Sequence, residues 1–175
     1  MHVAVARVTA FLERAATYAN AAGTLVVLLL VAVVNVDVVA RSVFNAPFRG
    51  AVEVVQFSMV LIVFLQLPDV VRVDRLTRSD GFLAVVGNRW PHLQSLLNRV
   101  IDCVSAVLMT LIAVAMAPEF LEAWDTQDYF GTPGIFTAPW WPLKLAILLS
   151  AGLCAALFGL RALFGRDGRP VAKGG

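Results

Sequence analysis

Leu25-Val-Val-Leu-Leu-Leu-Val-Ala-Val-Val34 is an unbroken aliphatic run, and its reading decides the fold class. It lies inside a longer apolar stretch, residues 22–44. A helix needs about 20 mostly apolar residues to cross the hydrocarbon of a bilayer. Three further stretches qualify: 51–71, which includes Met59 to Leu65, then 96–117 and 143–164. These runs are long and lack period-two alternation, so helix is the choice over strand. The sequence thus predicts an all-α membrane protein in one membrane domain over residues 1–175. Its expected architecture is an antiparallel bundle of four transmembrane helices with short interfacial helices.

Composition points the same way. Of the 175 residues, 59% are hydrophobic and only 15% are charged, with a mean hydropathy of +0.80. A soluble domain carries about 25% charge and about 45–50% apolar residues. The excess is more than one small core needs, so lipid is the expected solvent. The net charge is +2 and the basic residues form no long tract, which gives nucleic-acid binding no support. Cys103 and Cys154 fall in separate apolar runs without a CxxC, and read as small buried hydrophobes. Residues 2–20 carry Arg7, Glu13 and Arg14, and no small-residue cleavage pattern follows the first long run. The first span is therefore expected to be retained, not cleaved as a signal.

The connections are legible too. Asn45-Ala-Pro47 with Gly50 is a short turn that folds the first two spans into a tight hairpin. In the second connection, about 72–94, Phe82, Leu83, Val85, Val86, Trp90 and Leu93 alternate loosely with polar residues, which predicts a short interfacial helix. Residues 3–19, within the N-terminal segment 1–20, are a second such candidate. The third connection, about 118–142, holds Glu119, Glu122, Asp125 and Asp128, and Pro118 should kink or end the third helix. Residues 165–175 form a tail.

Arg and Lys set the orientation. Arg7 and Arg14 precede the first span; Arg72, Arg75, Arg78, Arg89 and Arg99 surround the second connection; Arg161, Arg166, Arg169 and Lys173 mark the end. The other side has only Arg41, Arg49 and Lys144. The positive-inside rule then places both termini in the cytoplasm. Trp124, Tyr129, Trp140 and Trp141 flank the opposite, acidic connection as an aromatic belt would.

Ionisable groups within spans are the natural functional candidates, since a carboxylate at a helix centre costs about 2.5–3.5 kcal/mol on insertion scales. Asp37 and Arg41 stand one turn apart in the favourable acid-before-base order. The turn folds back so that Glu53 can approach them. The physical reading is an ion network, Asp37–Arg41–Glu53, that pins the hairpin or forms a subunit interface; the rival is ion or proton coupling. Asn35, Gln56 and Gln66 are uncharged polar groups that can bond neighbouring helices. Arg99 and Asp102 read as a local pair. His2 and His92 lie outside the spans, which disfavours a membrane haem. With no HExxH, GxSxG or Walker A pattern and no carboxylate cluster, no catalytic residue, cofactor or metal site is expected.

Asp37-Val-Val-Ala-Arg41-Ser-Val-Phe44-Asn45-Ala-Pro47, followed by Gly50 and Glu53, resembles the first hairpin of the small permease subunits of tripartite ATP-independent periplasmic (TRAP) transporters. Phe64-Leu65 is similar to the end of that family's second helix. Leu76-Thr-Arg78-Ser-Asp80 matches its cytoplasmic motif at Arg78 and Asp80, but Leu76 stands where the family often has His. Gly131-Thr-Pro-Gly134-Ile-Phe-Thr-Ala-Pro139-Trp140-Trp141-Pro142 resembles the loop entering the fourth helix. The resemblance spans about 33–164. It implies a non-catalytic subunit in a bacterial inner membrane. Its partners would be lipid, a large permease subunit that carries substrate and ions, and a periplasmic solute-binding protein. Uptake of a carboxylate-like solute would be driven by an ion gradient. The hairpin turn and the Gly131–Pro142 loop would face the arriving binding protein. The alternative is a self-sufficient four-helix transporter acting as a homo-oligomer, with Asp37 as its membrane carboxylate.

Overall fold

Residues 2–45, 50–74, 91–131 and 137–164 are described in a computed structural model. Four helices dominate: α1 (His2–Phe44), α2 (Ala51–Val73), α3 (Pro91–Thr126) and α4 (Trp141–Phe164). Each is long and apolar enough to cross a membrane. Between α3 and α4 lie two short antiparallel strands, β1 (Tyr129–Phe130) and β2 (Ala138–Pro139), which the sequence did not suggest.

Two helices are longer than the apolar runs that announce them. α1 has 43 residues, about 64 Å at 1.5 Å per residue, roughly twice the hydrocarbon thickness. The segment expected as a separate N-terminal helix, 3–19, is its unbroken first part. Residues 2–22 contain no proline or glycine and are rich in alanine, so nothing locally stops the helix. α3 likewise runs through Pro118 to Thr126, placing Glu119, Glu122 and Asp125 on its last turns. Pro118 thus does not end the helix; it stands exposed, and α2 accommodates an interior proline too, Pro68. The interfacial helix expected at 82–93 falls mostly outside the described residues.

Contacts between helices set their order. α1 packs on α2, α2 on α4, and α4 on α3, so α2 and α4 are central and α1 and α3 flank them. Consecutive helices run antiparallel: Asn20 meets Asp69 across α1 and α2, and Glu119 meets Lys144 across α3 and α4. α2 and α4 consequently run in the same direction, and their C-terminal ends meet. This end is called the Arg161 end below, and the opposite one the turn end.

The core sits towards the Arg161 end. Val71, Cys154, Leu157 and Phe158 are buried together, with Leu12, Leu67, Ala106 and Met109 packed on them, so all four helices contribute. On α1, Ala16, Gly23 and Asp37 are buried at multiples of seven residues, the repeat of a helix packed along a partner. At Gly23 α1 and α2 approach closely: a Cβ there would lie 2.9 Å from Gln66 Cγ and 3.2 Å from Leu65 Cβ. Small residues at helix contacts matter in lipid, where van der Waals packing replaces a hydrophobic driving force.

Gly23→Leu should therefore lower the melting temperature in mild detergent, at a cost of about 1–3 kcal/mol. Gly152→Ala, where nothing lies within 4 Å, should leave it unchanged or slightly raised. Equal melts for the two variants would remove the Gly23 contact from this account.

Candidate functional site

The polar side chains gather at the two ends of the bundle. At the turn end, Asp37 is buried at 9% exposure. Arg41 Nη2 donates to Asp37 Oδ2 at 3.0 Å, while the Arg41 side chain is 64% exposed. The carboxylate faces the bundle and the guanidinium covers it from outside. Glu53 is half-buried in the first turn of α2, where a helix N-terminus favours negative charge. Among the described residues it bonds to neither Asp37 nor Arg41, so Glu53 stands outside the expected three-membered network. The i,i+4 spacing lets Arg41 meet Asp37 along its own helix.

The hairpin turn begins and ends with left-handed residues. Asn45 has φ 50° and Gly50 has φ 99°, a region natural for glycine and tolerated by asparagine. The Gly50 carbonyl accepts the Val54 N–H at 3.0 Å, which starts α2. Pro47 lies outside the described residues.

An aromatic cluster closes the same end. The Phe130 ring packs edge-on to Trp140 with centroids 5.0 Å apart, and 6.3 Å from Phe57 of α2. Trp141 meets Trp124 of α3 edge-on at 5.3 Å. The Trp140 N–H donates to the Asp128 carbonyl at 3.0 Å, and the Trp140 carbonyl accepts from Leu143 and Lys144 to open α4. Pro139 pairs with Tyr129 across the two strands. Lys144 Nζ donates to Glu119 Oε2 at 2.9 Å and to the Glu119 carbonyl at 3.0 Å, clamping α3 to α4. Gly134 lies outside the described residues, as do Arg78, Asp80 and Leu76 of the motif after α2.

The Arg161 end holds what the sequence did not single out. Arg161 of α4 is 8% exposed. Its Nη2 donates to the Val71 carbonyl at 2.5 Å and the Arg72 carbonyl at 3.2 Å, and its Nη1 donates to Asp74 Oδ1 at 3.2 Å. These acceptors are the C-terminal end of α2, where the last carbonyls lack helical partners and carry the negative pole of the helix. Asp74 closes that helix in a left-handed conformation, φ 60°, with its own N–H on Val70 and Val71. One turn back, Asp69 accepts from Arg72 Nε at 2.6 Å and from Asn20 Nδ2 of α1 at 3.0 Å. Three helices are thus tied by two adjacent polar knots.

Asp102 on α3 is 1% exposed. The Glu119–Lys144 contact fixes the register of α3 against α4, and it brings Asp102 to the height of Arg161. Arg99, one turn before Asp102 on α3, is exposed. A helical wheel would have shown Cys154, Leu157, Phe158 and Arg161 on one buried face; counted as a charge near the chain end, Arg161 passed for a residue of the tail. Among the described residues no group of three His, Cys, Asp or Glu could hold a metal ion.

Arg161→Leu should destabilise the bundle by about 3–5 kcal/mol, since it strands two helix-end carbonyls beside Asp74. Asp74→Asn should cost under about 1 kcal/mol, because asparagine also accepts and tolerates the left-handed region. At the turn end, Asp37→Asn should lower the melting temperature, while Glu53→Gln should stay within about 0.5 kcal/mol of the parent. Thermal melts in mild detergent check all four.

Two comparisons, with curated proteins and with solved structures, give no match. Against protein families, residues 30–167 match the model described as "Tripartite ATP-independent periplasmic transporters, DctQ component". That match takes in the turn, the Arg161 knot, the aromatic end, all of α2, α3 and α4, and about the last third of α1. The chain belongs to the DctQ family, the small permease component of TRAP transporters.

Proposed function

We propose that this chain assembles with a large, many-helix permease subunit and serves a periplasmic solute-binding protein, as part of a secondary transporter for a carboxylate-like solute driven by an ion gradient. The observation that carries the reading is the family match over 30–167. The family is one of transporter components, and the residues fit a bracing and docking role. The charged groups stand at the two ends of the bundle, where Asp37 is engaged by Arg41 and Glu119 by Lys144. Between the ends, α1 and α3 present long exposed aliphatic faces, with only 11% and 6% of their spans buried. Such a bundle offers surface to lipid and to another membrane protein.

The excess of Arg at the Arg161 end supports a cytoplasmic position for that end and for both termini in the inner membrane. The hairpin turn, the aromatic cluster and the loop between β1 and β2 then face the periplasm, where the binding protein arrives. The rival, a lone homo-oligomeric transporter, needs Asp37 as a coupling carboxylate; its ion pair with Arg41 in the outer part of α1 favours the structural role.

Affinity purification of tagged chain from its native membrane in mild detergent tests the proposal, with partners identified by mass. A stoichiometric, much larger polytopic protein is the expected companion. Recovery of the chain alone, as a stable homo-oligomer, would overturn the assignment of a large-subunit partner.

A further inference from the structure

The exposed faces of the bundle are not equivalent. On α1, Asn35 is two residues, about 200° of helical rotation, from the buried Asp37, so it points away from the bundle. Its neighbours on that outer face are Leu28, Val31, Val38 and Val39, all more than half exposed. Asn35 Nδ2 donates to the Val31 carbonyl at 2.7 Å. An amide has two N–H donors and a carbonyl acceptor, so one donor and the acceptor are left over. Asn35 lies six residues, about 9 Å, inward of Arg41 along α1.

The same feature recurs on α2. Gln56 is exposed between Val52, Met59 and Val63, and its amide has no hydrogen bond within the described residues. The antiparallel register set by Asn20 and Asp69 places residue 54 opposite Asn35, so the two amides stand about 3 Å apart in height. α3 differs. Its exposed polar residue Thr110 satisfies its hydroxyl on the Ala106 carbonyl, and Val100, Val104, Val107, Leu111 and Val114 surround it. A hydroxyl can be satisfied by its own helix in lipid; a carboxamide cannot be satisfied in full.

We propose that the exposed surfaces of α1 and α2, marked at one height by Asn35 and Gln56, are where helices of the large permease subunit bearing amide or hydroxyl side chains pack, and that the outer face of α3 meets lipid. The inference rests on the proposed pairing with that subunit and says which helices make it. The two amides supply the polar complement that lipid tails lack, within apolar stretches of the spans where an unpaired amide is costly.

The test is co-expression with the large subunit, reading its recovery with tagged chain. Asn35→Leu and Gln56→Leu place lipid-compatible side chains on the surface, so insertion of the chain itself is retained and is checked by its melt. Each should reduce recovery of the large subunit about three- to twenty-fold, and Thr110→Leu should not. A benzophenone amino acid at Leu28 should crosslink to a protein of the large subunit's mass, and one at Val107 should not. Wild-type recovery of the large subunit first establishes the pairing; its absence sinks the pairing itself. With pairing intact, unchanged recovery for both leucine variants, or crosslinking from Val107 alone, overturns the choice of face. A crosslink from Leu28 at twice the chain's own mass assigns the face to a second copy instead, and likewise overturns it.

Discussion

A buried guanidinium holds the end of this bundle together. Arg161 reaches from α4 to the last carbonyls of α2 and to Asp74 beyond them. Burying an arginine is costly unless its donors are met, and here a helix terminus meets them with groups that themselves lack partners. The two deficits cancel. Because the acceptors exist only at the end of α2, the bond fixes how far α4 can slide along it. It also explains why two helices running in the same direction end at one level. The Asn20–Asp69–Arg72 knot sets α1 against α2 in the same way.

The rest of the architecture follows from placing such bonds at the ends. In lipid, apolar helix faces gain little by meeting one another, so shape and hydrogen bonds decide which faces meet. Register is set by Arg161 and Asp69 at one end, and by Lys144–Glu119 and the tryptophan cluster at the other. The middle is left to close packing, as at Gly23. A bundle specified at its ends leaves long faces of α1 and α3 exposed. Asp37 belongs to this scheme: its carboxylate turns inward while Arg41 stays at the outer level.

Much of this was legible in the sequence. Four apolar runs gave the helices, and Asn45 with Gly50 gave the turn, because hydrophobic length and left-handed backbone leave local signatures. The motifs around Asp37, Arg41 and Trp140 gave the family. What was not legible depended on non-local geometry. No local signal stopped α1 before its first residues or α3 at Pro118, so their true lengths exceed the apolar runs. The turn brings Glu53 back towards Arg41 in sequence terms, whereas Arg41 bonds Asp37 within its own helix. Arg161 was counted as one more basic residue near the chain's end; its role needs the end of α2 beside it. Asp69, near the end of the second run, has no local signature; its role needs Asn20 across the contact.

The central claim is that this chain braces a transporter and does not transport by itself. Gradient-driven uptake of a pool of labelled carboxylates into proteoliposomes tests it most directly. The account predicts no uptake with the chain alone under any imposed ion gradient, and uptake only when the large subunit and the binding protein are both present. Gradient-driven uptake by the chain alone would contradict it.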